Sequence, residues 1–165
     1  MWPMLVVAIM MSLTGFYQLI DKDGMAAREQ ARADHIADSM AIYRDAVAAY
    51  FTMHPAQFAS IDINELKASN ALPSWSTLYQ DPATSIWRNY RDTDGVIYIY
   101  ASSLPPVNIS ADIARLSENS LMAGQFRTGD TTLHSPIYGD TGIKLPPQAK
   151  APIPNGSPVW IAMRK

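Results

Sequence analysis

Residues 25–51, MAAREQARADHIADSMAIYRDAVAAYF, carry apolar side chains at Ala33, Ile36, Ala37, Met40, Tyr43, Val47, Tyr50 and Phe51. Spacings of three and four gather these onto one stripe of an α-helix. Asp34, Asp38, Arg44 and Asp45 fall mostly off the stripe, and Pro55 ends the pattern. Asp34 and Asp38 form a like-charge i,i+4 pair, mildly unfavourable unless a partner intervenes. A helix with one apolar face needs something to cover it. Ile36, Met40, Tyr43, Val47 and Tyr50 are therefore the candidate packing or partner residues. They pack on a domain formed downstream, or their upper part meets a helix of another membrane protein.

Upstream lies Trp2–Ile20, WPMLVVAIMMSLTGFYQLI, and no charged side chain occurs from Met1 to Ile20. A bilayer core of about 30 Å takes roughly 20 apolar residues at 1.5 Å each, which this stretch supplies. Trp2 and Tyr17 stand near its ends, as interfacial aromatics do. Ser12 and Thr14 can bond back to the helix backbone. The expectation is an uncleaved transmembrane anchor over residues 1–20. A cleaved signal peptide fits less well, because nothing basic precedes the apolar run and Ala31-Arg32-Ala33 lies too far beyond it. A buried core helix is the third reading. Only Asp21 to Gly24 separates the anchor from the amphipathic stretch, so the two can form one rod with a weak point at Gly24.

Downstream, Asp62-Ile-Asn-Glu65 resembles a capping box ahead of a short helix over 63–69, with Leu72-Pro73 beyond it. Residues 86–91 and 96–101 read as a β-hairpin turning at Asp92-Thr-Asp-Gly95. In its second arm Ile97 and Ile99 share one face, and Val96, Tyr98 and Tyr100 the other. Two apolar faces suit a central strand covered by the long helix. Ser110 is expected to cap a helix over 111–119, and a strand is expected within 124–134. The proline-rich stretch 144–158 reads as an extended loop, followed by a strand over 159–163. The fold class is α+β: an N-terminal transmembrane helix continued by a long amphipathic helix on a small antiparallel sheet. The divisions are anchor 1–20, helix 21–54, and a small domain over 55–165 completed by that helix.

The signals of chemistry are sparse. A net charge of −2 argues against broad nucleic-acid binding, which needs clustered cations. With no cysteine there are no disulfides and no thiolate metal sites. His35 reads as a solvated helix residue, His54 as a helix-end residue favoured by the dipole, and His134 as lying in a strand or loop. No metalloprotease, nucleophile-elbow, phosphate-loop or dinucleotide signature occurs. The expectation is no enzyme, no cofactor and no metal. The hairpin aromatics read as core packing ahead of a binding surface.

The order of parts resembles a known family: an uncharged anchor, an amphipathic helix, then DINELKASNALP over 62–73, an aromatic hairpin, and VWIAM over 159–163. It looks like the small PilM family of type IVb (thin) pilus systems, distinct from the actin-like, nucleotide-binding PilM. The resemblance implies a single-pass inner-membrane protein with a periplasmic domain. It would belong to the pilus basal machinery of conjugative or chromosomal systems, and its partners would be other pilus assembly proteins, with self-association left open. Charge leans the other way, because Lys22, Arg28 and Arg32 on the C-terminal flank favour a cytoplasmic side. Two other classes stand beside this one. A pilin or minor pilin entering the fibre shares the helix-on-sheet texture, but Gly15-Phe16 falls late in the apolar run and no basic leader precedes it. A membrane-tethered enzyme or binding domain would need a site formed in space, for instance around Asp130 and His134. Tyr43→Asp is expected to disrupt the domain or its partner contact. Unchanged protease resistance and unchanged pilus assembly in that variant would show the stripe is not buried.

Overall fold

The computed structural model describes residues 2–57, 59–129, 131–145 and 153–162, with side chains described from Gly24 onward. A single helix, α1 (Trp2–Met53), runs through Gly24 without a break. Glycine in an exposed helix costs only about 1 kcal/mol relative to alanine, too little to end a helix supported on both sides. The anchor expected over 1–20 lies outside the residues whose side chains are described. Among those that are, no helix is long and apolar enough to cross a membrane.

Beyond α1 come α2 (Ile63–Ala68), α3 (Thr77–Gln80) and a 3-10 turn at Pro82–Thr84. The hairpin follows as β1 (Trp87–Arg91) and β2 (Ile97–Ala101), then α4 (Ser110–Leu116). The rest is β3 (Ala123–Gln125), β4 (Thr132–Ser135), β5 (Gly139–Lys144) and β6 (Pro158–Ala162). All strand pairs are antiparallel, in the order β1-β2-β6-β3-β4-β5. The last strand of the chain thus slots between the second and the third. Gly124 marks the tightest approach in the sheet, since a Cβ there would lie 2.1 Å from the carbonyl oxygen of His134. Only glycine lets β3 and β4 come together at that point.

The α+β class and the long helix on an antiparallel sheet are as expected, and the sheet is six strands wide. One face packs on α1, where Ile97, Ile99, Ala101, Trp87 and Trp160 meet Ala37, Met40, Tyr43 and Val47, all buried. The opposite face of β2 and β6 presents Tyr98, Val159 and Ile161, which form a second cluster with Leu133 and with Ile153 from the proline-rich stretch. Ile153 and Leu145 thus cover part of this face.

Local details explain the element ends, and some depart from expectation. Asp92 accepts hydrogen bonds from the N–H groups of Asp94 and Val96 at 3.0 and 2.9 Å, and Gly95 takes φ +85°, which closes the hairpin turn. Asp62 caps α2 through the Asn64 N–H at 2.8 Å. Glu65 does not reach back to complete a capping box, because the Tyr50 hydroxyl donates to its carboxylate at 2.5 Å. Ser110 is the first helical residue of α4 and not its cap; Asn108 accepts its N–H at 3.0 Å. The like-charge pair on α1 has found its partner, with Arg115 of α4 bonding Asp34 at 2.7 Å.

One buried polar contact ties helix, sheet edge and loop together. Asn89 on β1 is 1% exposed. Its amide nitrogen donates to the Tyr43 hydroxyl at 2.6 Å and to the Ile61 carbonyl at 2.8 Å. Its amide oxygen accepts the Ile61 N–H at 2.9 Å. The side chain stands in for a strand partner to Ile61, continuing the Ala59–Arg91 bridge along the open edge of β1. Asn89→Leu leaves three polar groups without their partners in a buried site, at about 1–3 kcal/mol for each one left buried. A loss on the order of 3 kcal/mol is expected from urea denaturation of the full-length protein followed by tryptophan fluorescence.

Candidate functional site

The candidate stripe lies inside the molecule. Met40, Tyr43, Val47 and Tyr50 are all buried against the sheet and α2, and Ile36 packs at the edge of the same cluster. Those side chains hold the fold together, and their apolar surface is not open to a partner. The hairpin aromatics divide: Trp87 and Tyr98 are buried, while Tyr90 and Tyr100 are half-buried around the second cluster. The Trp87 indole N–H donates to Ser39 of α1 at 3.0 Å, a second polar tie between β1 and the helix.

The histidines come to three separate places. His35 is exposed on α1. His54 stacks on the Tyr50 ring at 4.3 Å between centroids, with Nδ1 3.0 Å from the Tyr50 carbonyl oxygen at the end of α1. His134 sits in β4 opposite Asp140 of β5. Asp140 is held below the usual carboxylate range by the Thr132 hydroxyl and then by the Gly142 N–H. Asp130 lies outside the described residues. Among the described residues, no three His, Asp or Glu side chains gather as a metal site.

What sequence reasoning missed is an open groove of about 510 Å³ at the end of α1 away from its N-terminus. Ala48, Ala49 and Thr52 of α1 form one wall, Ser120 and Met122 after α4 form the other, and Trp160 lies in the floor. Arg44 lies over the Trp160 ring at 4.1 Å from its centroid, a cation held against the face of an indole. Its Nε and a terminal nitrogen donate to Asp45 at 2.9 and 2.6 Å. Nothing in spacing alone pairs Arg44 with a tryptophan 116 positions away.

The whole of this frame, helix and sheet together, matches one family. The PilM family model aligns with residues 7–161. The chain belongs to the PilM family. No curated protein and no solved structure matches it.

Tyrosines in this PilM chain make its fold sensitive to alkaline pH. Burial pushes the Tyr43 phenol up to about 12, against a smaller downward pull from its bond to Asn89. Burial likewise raises Tyr98 to about 12, with the Asp92 carboxylate adding to it. Tyr50 is raised chiefly by its hydrogen bond to Glu65. An unfolded tyrosine ionises near 10, so above that pH the unfolded chain releases protons that the folded chain keeps. Stability contributed by these phenols is intact below pH 10 and falls as pH rises toward 12. For Tyr43 the loss is on the order of 2–3 kcal/mol. Urea midpoints are expected to stay level from pH 7 to 9 and then drop. Tyr43→Phe should be about 1 kcal/mol less stable at pH 7 and show a visibly shallower drop above pH 10. An identical slope in the variant would mean that the Tyr43 hydroxyl is not held neutral by burial.

Proposed function

We propose that this protein is an inner-membrane assembly component of a type IVb or conjugative thin pilus, acting by protein–protein binding and not by catalysis. Membership of the PilM family suggests a role in type IV pilus biogenesis, and the span of the match over residues 7–161 is the observation that carries the reading. It includes most of the uncharged N-terminal segment as well as the folded domain, which supports reading the two as parts of one unit. In this reading residues 1–20 hold the chain in the membrane and the domain stands in the periplasm. Residues 24–32 of α1 are exposed throughout, which suits a helical stalk between the two. The stripe residues serve the fold, so partner contacts fall to surfaces that remain open.

A pilin-like subunit is the second reading, favoured by the long helix laid on an antiparallel sheet. The state of the N-terminus separates them. Deleting the chain is expected to abolish piliation, and complementation to restore it. Alkaline phosphatase fused after Lys165 should be active, and the mature protein should keep Met1. A cytoplasmic C-terminus would sink the periplasmic assignment, and a trimmed N-terminus with the chain recovered in sheared fibres would establish the subunit reading instead.

A further inference from the structure

Most of the described length of α1 is braced. Side-chain bonds from Gln30, Asp34, Ser39, Tyr43 and Tyr50 tie it to α4, β1 and α2, and its buried row begins at Ala33. Residues 24–32 are exposed, and the ties to other elements begin only at Gln30. In this interval the helix stands on its own backbone bonds, and its sequence is uneven. Met25-Ala-Ala-Arg-Glu-Gln-Ala-Arg32 consists of strong helix formers throughout, whereas Gly24 just ahead of them is among the weakest. Neither conformation nor packing calls for glycine at that position. The backbone there is helical, and a Cβ would meet nothing within 4 Å. Gly124 is the contrast, since a Cβ on it would strike a carbonyl oxygen. What Gly24 does contribute is a freer backbone, which makes the helix bonds that span it easier to open.

We propose that Gly24 is a hinge, the one soft joint in an otherwise stiff stalk, on which the domain tilts relative to its membrane anchor as the pilus machinery assembles. The proposal rests on the anchored-assembly reading above and adds how the two parts move. A helix bends where it is both unbraced and locally weak, and in the described part of α1 only Gly24 meets both conditions. The same weakness that is too small to end the helix at rest is enough to place its transient openings there. Gly24 lies four positions beyond Ile20, about 6 Å along the helix from the end of the uncharged segment, so the joint stands just outside the bilayer. The lever above it is long. Met53 is 29 positions further on, about 43 Å, and a tilt of about 20° carries that end through about 15 Å. A stalk without a joint would hold the domain at one angle. With one, the chain can meet partners in the membrane and partners beyond it without the two being aligned beforehand.

Hydrogen exchange of the full-length protein in lipid nanodiscs, read amide by amide, tests the joint. The N–H groups of residues 25–28 bond to carbonyls of residues 21–24 and span the hinge, whereas those of residues 29–32 are equally exposed and do not. Exchange over 25–28 is expected to be severalfold faster than over 29–32. Gly24→Ala should slow it about fivefold, leave protease resistance of the domain unchanged, and lower piliation by a similar factor. Moving the glycine separates flexibility from shape. In Gly24→Ala/Ala27→Gly the joint shifts by three positions within the same exposed interval, so fast exchange moves to residues 28–31 and piliation returns. A glycine needed at 24 for close contact with a neighbouring helix would leave this double variant defective, and that result would overturn the hinge. Equal exchange over the two sets of amides would overturn it too, as would full piliation by Gly24→Ala in a strain where deletion abolishes it. Normal piliation after deletion would instead overturn the assembly reading, while the exchange contrast would still decide the joint.

Discussion

A sheet whose central strands are apolar on both faces must be covered twice, and most of this structure follows from meeting that demand in 165 residues. β2 and β6 send Ile97, Ile99 and Trp160 to one side and Tyr98, Val159 and Ile161 to the other. The first side uses α1, which brings the long buried row from Ala33 to Phe51. Among the described residues, the second side has no helix. Ile153 and Leu145, from the two ends of the proline-rich stretch, close it.

Covering by one long helix also sets where polar ties are needed. A helix lying on a sheet is free to slide along its axis, since apolar contact is non-directional. Directional bonds at successive levels remove that freedom. Gln30 and Asp34 meet Asp112 and Arg115 of α4, Ser39 meets Trp87, Tyr43 meets Asn89, and Tyr50 meets Glu65 of α2. Four levels over 21 residues fix the register of α1 against everything else. The Asn89 contact is the most demanding, because it is fully buried and serves helix, strand and loop at once.

Much of this was legible in the residues, and the reasons are specific. The stripe on α1 showed through because a helix half-buried on a sheet imposes a 3.6-residue period on its apolar side chains. The hairpin showed through because Asp92 and Gly95 carry the turn chemistry in themselves. Elements decided by distant contacts did not show. β5 buries no residue fully, is bulged opposite Thr132–His134 and has Ile143 as its one large apolar residue, so its sequence gives little strand signal. α3 is four residues long, too short for any period. Glu65 has the spacing of a capping box, yet Tyr50, 15 positions earlier, takes its carboxylate. The stripe was legible as a face that must be covered, but whether its cover came from inside or outside the chain was a question of tertiary structure. The groove was not legible at all, because it is made by the early end of α4 and by the meeting of Arg44 with Trp160.

These constraints divide α1 into zones with different freedom to change. Between Ala33 and Phe51 its inner face is committed to the core, where a lost methylene leaves a cavity and an added one forces strain. Its outer face over the same turns carries Arg44, Asp45, Ala48 and Ala49, which make few demands on the fold. Side chains released from packing can be set by what they meet outside the molecule. Arg44 stands at the boundary between the two: its guanidinium rests on a core tryptophan while its charge faces the groove. A lysine there would keep the charge but lose the flat stacking surface and the forked donors that suit a carboxylate. The choice of arginine at that boundary fits both contacts it makes within the chain, the stack on Trp160 and the two bonds to Asp45.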